Sequence, residues 1–320
     1  MYLLKFILCL LMLWSPLVLP QSWPQKPVRM LVPWPPGGGV DLAARVVSQK
    51  LVSAWQQQII VDNRSGADGA IAMSLAAKAR PDGYTLIMSA IGPIVINAIL
   101  DGQTSYDSSK HFAPVALVAS TVYVLSVPAG SQITNVNDLI VAAKANPGGL
   151  TFASPGRGTG PWLAGELFKH MANVNITQVA YRGTGPALTD LLGSQVTVMF
   201  CDTVAAYPHI TAGRLRGIAV SANKRWAQMP DIPTVSQAGL SGFAVTGWTG
   251  LLAPKHTPKS IIKKINQDVV KALDLADVQT KLAIDHNQWG SNTPDQFSAW
   301  IQQETSKWRR VIATANIGPD

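Results

Sequence analysis

Residues 28–41 read VRMLVPWPPGGGVD, an apolar run followed by a turn rich in proline and glycine and by the start of a helix. Residues 28–33 have the continuous apolar pattern of a buried strand. Between residues 41 and 55 the apolar side chains recur at the spacing of one helical face: Leu42, Val46, Val47, Leu51 and Trp55. The stretch therefore predicts a strand, a tight turn and a helix in direct succession.

Strands and helices continue to alternate along the chain. Further strands are predicted at residues 59–61, 84–88, 114–119, 123–127, 150–153, 177–180, 196–200, 215–220 and 243–253. Further helices are predicted at residues 70–79, 136–145, 162–171, 186–192, 260–273, 276–283 and 294–315. This order predicts an α/β fold with a parallel sheet and helices on its faces. The helices after the last strand indicate a chain that returns to its first domain.

Length and composition limit the class of protein. The chain has 320 residues, 47% of them hydrophobic and 14% charged. This length fits two domains or one large one, and the apolar content excludes disorder of the whole chain. The net charge is +8, from 26 Lys and Arg against 18 Asp and Glu. These basic residues are scattered and not clustered on one face, which disfavours a nucleic-acid partner and fits attraction of anionic solutes.

The first 22 residues have the pattern of a secretory signal peptide. Lys5 precedes an apolar run over residues 6–19, and a polar exit ends at Ser22. The run is shorter than the ~20 residues that a membrane-spanning helix needs. A retained membrane anchor stays an alternative, because no clean cleavage box is present. We expect an exported protein, and removal of the signal peptide would take Cys9 away and leave Cys201 without a disulfide partner.

The sequence lacks the motifs of common nucleotide-binding, hydrolytic and metal-dependent enzymes. The turn at residues 37–39 has no Gly-Lys-Ser/Thr ending, and neither it nor the turn at Gly156 completes a dinucleotide fingerprint. No GxSxG, HExxH or CxxC motif occurs, and the five histidines have no metal-ligand spacing. We therefore expect no catalytic residues, no metal and no cofactor.

Three glycine-rich turns between predicted strands and helices are the remaining chemical feature. They are GGG (37–39), SPGRGTG (154–160) and YRGTGP (181–186). Each offers backbone N–H groups at the start of a helix, which suits an anion without a charged side chain. The three turns fit a carboxylate held between two lobes. The alternative is that they are only tight connections.

An ordered set of short motifs resembles one known family. The motifs are VPWPPGGGVD (32–41), VDNRSGADG (61–69), ARPDGYTL (79–86), FAPV (112–115), LAGELF (163–168), PALTDLL (186–192), PHI (208–210) and PTV (233–235). In this order and spacing they resemble the Bug family, the TctC-type extracytoplasmic solute receptors of tripartite tricarboxylate transporters. The resemblance covers the chain from Trp23 onward.

The resemblance implies a two-lobed periplasmic-binding-protein fold, type II-like, in which each lobe is a sheet flanked by helices and the ligand cleft lies between the lobes. Lobe 1 would comprise residues 23–121 plus 248–320, and lobe 2 residues 122–247. Hinge strands would lie near residues 119–123 and 246–251. The receptor would be a periplasmic monomer that binds a small carboxylate and works with the subunits of a membrane transporter.

The resemblance also implies a set of ligand-binding residues. In the family, backbone amides of the first glycine-rich loop and of the loop after Ser154 hold the ligand carboxylate. Carried over by position, the site comprises Trp34, Gly38, Gly39, Asp41, Ser89, Asn97, Ser154, Gly158, Thr159, Tyr181, Arg182 and Gly183. Arg157 is a further candidate, because its guanidinium can bind a carboxylate through two hydrogen bonds, although an arginine in such a loop often lies in solvent.

The chain departs from the family pattern at three polar positions. It has Pro93 and Ile94 where a Thr-His pair is common, and GPW (160–162) where Ser-Ser-His is common. Cys201 stands where an Asp usually follows the Met-Phe strand end, with Asp202 next along, and both are expected to be ligand-binding residues. Loss of that acid would remove a partner for the ammonium group of an amino acid. We therefore expect an apolar or aromatic carboxylate as ligand.

Two side chains at the departures have alternative interpretations. Trp34 and Trp162 could enclose a ligand ring between them, because stacking adds ~0.5–1.5 kcal/mol, or Trp162 could pack in the core of lobe 2. Cys201 is expected to be a small buried apolar residue and not a reactive thiol.

Three functions are compatible with the sequence. The leading hypothesis is a binding receptor that delivers its ligand to a transporter. The first alternative is an exported hydrolase-like α/β enzyme with Cys201 or Ser154 as nucleophile, for which no activating histidine is recognisable. The second is an orphan receptor that presents its ligand to a signalling partner.

Overall fold

A computed structural model of the chain describes residues 23–101, 105–282 and 292–317. The predicted signal peptide lies outside these residues, and so does the last residue of the helix predicted over 276–283. Among the described residues, no helix combines the length and the apolar character that a bilayer span requires.

The strands are β1 (Val28–Val32), β2 (Ile59–Asn63), β3 (Thr85–Ala90), β4 (Phe112–Pro128), β5 (Thr151–Ser154), β6 (Thr177–Ala180), β7 (Val198–Asp202), β8 (Leu215–Val220) and β9 (Thr246–Pro254). The helices are α1 (Gly39–Trp55), α2 (Ala70–Ala77), α3 (Asn97–Asp101), α4 (Ser108–His111), α5 (Val136–Ala145), α6 (Gly160–Ala172), α7 (Thr184–Leu192), α8 (Thr203–Thr211), α9 (Lys259–Leu273), α10 (Ala276–Leu282) and α11 (Pro294–Thr314). A short 3₁₀ turn (Ala67–Gly69) precedes α2, and a π-turn (Gly92–Ile96) precedes α3.

The strands follow the order β2-β1-β3-β9-β4-β7-β5-β6, and β8 also pairs with β4. β1 is parallel to β2 and β3, and β9 runs antiparallel beside β3. Leu51 and Val47 of α1 are fully buried, because the helical face predicted from their spacing packs on this part of the sheet. We call the part built on β1, β2, β3 and β9 lobe 1.

Lobe 2 is built on β5, β6, β7 and β8. β5 is parallel to β6 and β7, and β7 and β8 each run antiparallel to β4. Helix α6 buries Leu163 and Phe168 against the sheet. Both lobes therefore contain a parallel βαβ arrangement whose strands end toward the other lobe.

β4 belongs to both lobes. Its first part pairs with β9, down to the pair Val122 and Thr246, and from Tyr123 onward it pairs with β7 and β8. The sequence predicted two strands here because Ser120 and Thr121 interrupt the apolar pattern. In the structure these polar residues are half-buried and lie where one continuous strand passes from lobe 1 to lobe 2.

The C-terminal helices return to lobe 1, as their position after the last strand predicted. α9 and α11 both pack against β4. α11 begins with a capping box in which Thr293 and Gln296 bond each other's backbone. Its Trp308 is fully buried.

Further elements differ from the predictions, among them the short helix α4, which was not predicted. Helix α8 was not predicted, because Pro208 lies inside it and proline usually ends helical patterns. The last long strand begins at Thr246 and not at residue 243, because Phe243 instead belongs to a turn, with its N–H bonded to the carbonyl of Leu240.

Candidate functional site

A cleft lies between the two lobes, beside the point where β4 passes from one to the other. Its volume, including its opening to solvent, is about 610 Å³. Six residues predicted from the sequence line it: Trp34, Gly38, Gly39, Asp41, Thr159 and Asp202. The first four come from the turn between β1 and α1, and the last two come from lobe 2.

The start of α1 is suited to an anion. The helix begins at Gly39, and its N-cap residue Gly38 makes no side-chain hydrogen bond. The first N–H groups of a helix have no partner within the helix and carry its positive end. Gly37 adopts a φ of +98°, in the left-handed region that favours glycine, where the chain turns into the helix.

Among the described residues, the buried donors without a hydrogen-bond partner include two at or next to the cleft, the indole Nε1 of Trp34 and the hydroxyl of Ser89. Trp34 lines the cleft, and Ser89 directly precedes Ala90, which lines it as well. A buried donor left without an acceptor costs about 1–3 kcal/mol. A ligand oxygen at the Trp34 indole would remove that penalty.

Asp41 braces the β1–α1 turn. Its carboxylate accepts hydrogen bonds from Arg45 at 2.9 Å, from Asn63 at 3.0 Å and from the Gly37 N–H at 3.1 Å. The Asn63 amide also donates to the Trp34 carbonyl at 2.8 Å. Burial opposes the charged form of Asp41, but these hydrogen bonds and the charge of Arg45 outweigh it and hold its pKa below the ordinary value.

The turn between β5 and α6 forms the facing wall in lobe 2. The Thr159 hydroxyl donates to the Gly156 carbonyl at 2.7 Å and caps α6 by accepting the Trp162 N–H at 3.4 Å. Gly156 and Gly158 have φ values of +133° and +74°, so the turn needs glycine at both positions. Its conformation is therefore set by its own hydrogen bonds.

Asp202 lies at the end of β7 and contacts both lobes. Its carboxylate accepts a hydrogen bond from the Thr184 hydroxyl at 3.0 Å and another from the backbone N–H of Gly39. Burial raises the pKa of Asp202 above its ordinary value, although both hydrogen bonds oppose that shift. The acid expected to be lost at residue 201 is thus supplied to the cleft by the next residue.

Tyr123 and Trp248 form the floor of the cleft at the crossing between lobes. The Tyr123 hydroxyl lies against Gly160 and Gly247, where a Cβ would collide with it. Burial, with the charges of Asp202 and Glu304, raises its pKa well above the ordinary value. The Trp248 indole donates to Glu304 at 3.2 Å, which fixes the ring.

The lobes approach each other closely through glycines. A Cβ on Gly92 in lobe 1 would lie 2.8 Å from the Gly158 carbonyl oxygen in lobe 2. A Cβ on Gly183 would lie 3.2 Å from the Pro35 side chain, and one on Gly38 would lie 3.8 Å from Thr184. The structure therefore has the lobes in contact around the cleft.

Three predicted site residues pack inside lobe 2. Trp162 is 4% exposed, and its indole donates a hydrogen bond to Gln178 at 3.0 Å. It does not line the cleft with Trp34. Trp162 therefore packs in the core of lobe 2, which was the alternative to enclosing a ligand ring. Cys201 is fully buried in the core of lobe 2, which confirms the expected small apolar role. Burial and the nearby charge of Asp202 raise the pKa of its thiol.

The other nucleophile considered, Ser154, is fully buried and accepts a hydrogen bond from Gln178 at 2.9 Å. Because a thiol with a raised pKa is a poor nucleophile and Ser154 is held by an amide, neither residue has the setting of an activated nucleophile. This geometry disfavours the enzyme hypothesis at these two positions.

The remaining predicted residues do not line the cleft. Asn97 begins α3 and donates to the Asp68 carbonyl at 3.0 Å, and its side chain contacts Gly158 across the lobes. The Tyr181 hydroxyl donates to Asp190 at 2.7 Å, and burial with this bond raises its pKa to about 12. Arg182 is exposed, and Arg157 is half-buried in the β5–α6 turn. None of these side chains is among the lining of the cleft.

Sequence reasoning missed twelve residues that line the cleft: Pro35, Val40, Ala90, Gly92, Thr121, Tyr123, Pro155, Gly160, Pro161, Thr184, Trp248 and Thr249. Tyr123, Trp248 and Thr249 fall within the strands predicted as hinges, so the signal was present but was assigned to motion only. Thr184 directly follows the predicted Gly183. Nothing in the local sequence marks Gly92 as a contact between lobes.

Within the three described ranges, no three His, Cys, Asp or Glu side chains lie close enough together to hold a metal ion.

Comparison with known proteins gives a consistent result. Residues 43–317 match the family described as "Tripartite tricarboxylate transporter family receptor". The chain is 37% identical over 292 residues to the "UPF0065 protein in tcbD-tcbE intergenic region" of a Pseudomonas species, covering 91% of this chain and 87% of that protein. It is 32% identical to "Protein BugT" of Bordetella pertussis, covering 91% and 90%.

Solved structures agree with the sequence relatives. The structure "R. palustris Rpa4515 with adipate" matches with a TM-score of 0.87 at 32% identity, covering 92% of this chain and 99% of that one. MatC from Rhodopseudomonas palustris with bound malate matches with a TM-score of 0.83 at 31% identity, covering 91% and 100%. The periplasmic binding protein BugD matches with a TM-score of 0.82 at 28% identity, covering 93% and 100%.

These matches confirm the predicted two-lobed periplasmic-binding-protein fold and the resemblance on which it was based. The chain belongs to the Bug or TctC family of solute receptors of tripartite tricarboxylate transporters.

Proposed function

We propose that the protein is a periplasmic receptor that closes its two lobes around a small carboxylate and delivers it to a tripartite tricarboxylate-type membrane transporter. The observation that carries this proposal is the cleft between the lobes, where the N–H groups that follow Gly39 in the first turn of α1 and the unpartnered Trp34 indole offer donors to one anion. Relatives with 31–32% identity are solved with adipate and with malate, which supports a carboxylate here.

The ligand carboxylate would lie at the first turn of α1. The N–H groups of Val40 and Asp41 belong to this turn, and Trp34 Nε1 would donate from the side. Charge-assisted hydrogen bonds of this kind are worth about 1.5–3 kcal/mol each. Backbone amides and an indole thus replace the cationic side chain that many carboxylate sites use.

The body of the ligand would be apolar or aromatic. Much of the lining of the cleft consists of apolar side chains, among them Val40, Ala90, Pro155 and Pro161. The Trp34 ring offers a single stacking surface. The sequence predicted an apolar or aromatic ligand from the loss of an acid at residue 201. Because Asp202 supplies an acid to the cleft, we infer this preference from the apolar lining instead.

Closure would occur about the two strands that join the lobes. We propose lobe 1 as residues 23–121 plus 248–320 and lobe 2 as residues 122–247, since the pairing of β4 changes after Val122. The hinge would lie near residues 119–123 and 246–251. A monomer suffices for this function, because both walls of the cleft come from one chain.

Native mass spectrometry of the protein purified from periplasm, followed by calorimetry with any compound found, tests the proposal. We expect a small carboxylate at one per chain, bound more weakly by Trp34→Phe. A nucleotide or a metal ion as the specific ligand would contradict the proposal. Growth of a deletion strain on the identified carboxylate tests delivery, and unchanged uptake would argue for a signalling receptor instead.

A further inference from the structure

The cleft contains a carboxyl group of the chain itself at the place proposed for the ligand. Asp202 comes from lobe 2, yet its carboxylate accepts the N–H of Gly39, the first residue of α1 in lobe 1. The Thr184 hydroxyl donates to its Oδ2 at 3.0 Å. A ligand carboxylate bound to the next N–H groups of α1 would therefore be a direct neighbour of Asp202.

The cleft provides no cation to balance two such carboxylates. Its lining contains no Lys, Arg or His, and its other acid, Asp41, has its own partner in Arg45. The remaining titratable neighbours are the Tyr123 phenol on β4, the Cys201 thiol beside Asp202 and, beyond Tyr123, Glu304 on α11. None of these carries a positive charge.

Lys224 and Arg225 line a neighbouring hollow that shares Gly39, Thr121, Asp202 and Thr249 with the cleft. Arg225 is bonded to Gln237 at 2.9 Å and to the Pro230 carbonyl at 2.8 Å, and Lys224 is exposed. Two carboxylates confined together cannot both stay ionised at low cost, and the usual outcome is one shared proton.

We propose, on the basis of the function proposed above, that Asp202 is a specificity-determining residue that takes up one proton when the ligand binds and donates it in a hydrogen bond to the ligand carboxylate. No covalent bond to the ligand forms or breaks. The proton comes from solvent, one oxygen of Asp202 keeps the hydrogen bonds from Thr184 and Gly39, and the other carries the proton. Because the lining contains no Lys, Arg or His, a second carboxylate on the ligand would find no cation in the cleft, and the receptor thus selects ligands with a single ionised carboxylate.

The setting of Asp202 favours this assignment. Burial already raises its pKa without a ligand, and a second negative charge raises it further. Between the pKa of Asp202 in the free receptor and its higher pKa in the complex, affinity falls about tenfold for each unit of rising pH. A ligand with a second carboxylate near Asp202 would bind more weakly than its singly charged analogue.

Calorimetry with hexanoate and adipate tests the proposal, because these probes share a six-carbon chain and differ by one carboxylate. For the wild-type protein we expect uptake of about one proton per hexanoate in buffers of different ionisation enthalpy, and tighter binding of hexanoate than of adipate. In Asp202→Asn, which is neutral at every pH, we expect no proton uptake and a flat pH profile. Asp231→Asn, an exposed acid elsewhere, should behave as the wild type.

The outcomes separate this inference from the proposed function. Hexanoate binding without proton uptake in the wild type would overturn the inference and leave a carboxylate receptor. Tighter binding of 6-aminohexanoate than of hexanoate, strengthening as pH rises, would also overturn it, because Asp202 would then pair with an ammonium group as an anion. If hexanoate, adipate, malate and benzoate all fail to bind both proteins at about pH 5.5, the proposed function fails and the inference with it.

Discussion

The cleft is lined by two aspartates, one from each lobe, and their surroundings act on them in opposite directions. Asp41 in lobe 1 is held by Arg45, Asn63 and the Gly37 N–H, and its pKa is lowered. Asp202 in lobe 2 has only neutral donors, and its pKa is raised. Two acids whose environments separate their pKa values usually have different roles. Asp41 shapes the turn, whereas Asp202 responds to what enters the cleft.

The largest expected effect is that of removing the Asp41 carboxylate, which supports the β1–α1 turn. Asp41→Ala leaves Arg45, the Asn63 amide and the Gly37 N–H without their acceptor, so we expect a loss of about 2–4 kcal/mol in the free energy of unfolding. Ligand binding should weaken strongly, because the β1–α1 turn loses its support. Urea unfolding measures the first effect. Stability within about 0.5 kcal/mol of the wild type would show that Asp41 is not the structural acid of the pair.

Obstructing contact between the two halves of the cleft should have the next largest effect. Gly92→Ala puts a Cβ 2.8 Å from the Gly158 carbonyl oxygen across the lobes, and overpacking of this kind costs roughly 1–3 kcal/mol. We expect roughly 10–100-fold weaker ligand binding by calorimetry, with little change in thermal stability. Gly130→Ala is the matched control, because no atom lies within 4 Å of its Cβ. Equal affinities for the two variants would contradict closure at this contact.

Substituting Trp34 and Trp162, the two residues predicted to enclose a ligand ring, should give smaller effects that differ between the lobes. Trp34→Phe keeps a ring but removes the indole donor, so we expect about tenfold weaker binding of the carboxylate. Trp162→Phe removes the bond to Gln178 in lobe 2, and we expect about 1 kcal/mol lower stability with affinity unchanged within about twofold. Calorimetry and unfolding on both variants give the comparison. Loss of affinity in Trp162→Phe alone would reverse the assignment.

The smallest expected effect is on the pH dependence of stability. The pKa of Asp202 is higher in the folded protein than in the unfolded chain. The free energy of unfolding therefore falls as pH rises from the unfolded-state pKa to the folded-state pKa, because the carboxyl group then loses its proton more readily in the unfolded chain. Asp202→Asn should therefore be more stable than the wild type at about pH 8, where the wild-type carboxyl group is ionised, and equal to it at about pH 4. Asp41 has the opposite sign, since its stabilisation is present above the unfolded-state pKa and is lost as pH falls through its lowered folded pKa. Thermal unfolding across this pH range tests both signs.

Much of the fold could be predicted from local pattern. The strand, turn and helix at residues 28–55 follow from apolar spacing and a glycine-rich turn, and β6 and β8 have the predicted bounds. What could not be predicted depends on tertiary context. The polar Ser120 and Thr121 interrupt the apolar pattern, but the structure continues through them as one strand, because this part of β4 lies half-buried where the strand passes between the lobes.

The site was predictable where backbone chemistry determines it and not where side-chain direction does. The β1–α1 turn lines the cleft as the glycines of residues 37–39 indicated. At the end of β7, successive side chains point to opposite faces of the strand, and this decides which residue faces the cleft. The resemblance to the family identified the change at Cys201 but did not establish that the Asp202 side chain lies in the cleft. Tyr123 and Trp248 could be identified as hinge residues, but their part in the lining depends on how two strands cross.

A crystal structure of the receptor with the carboxylate identified by mass spectrometry tests the central claim most directly. The account predicts one carboxylate group within about 2.7–3.1 Å of the first N–H groups of α1 and of Trp34 Nε1, with its second oxygen at hydrogen-bond distance from Asp202. A carboxylate held instead by Lys224 and Arg225 in the neighbouring hollow, with Asp202 still alone at the start of α1, would contradict it.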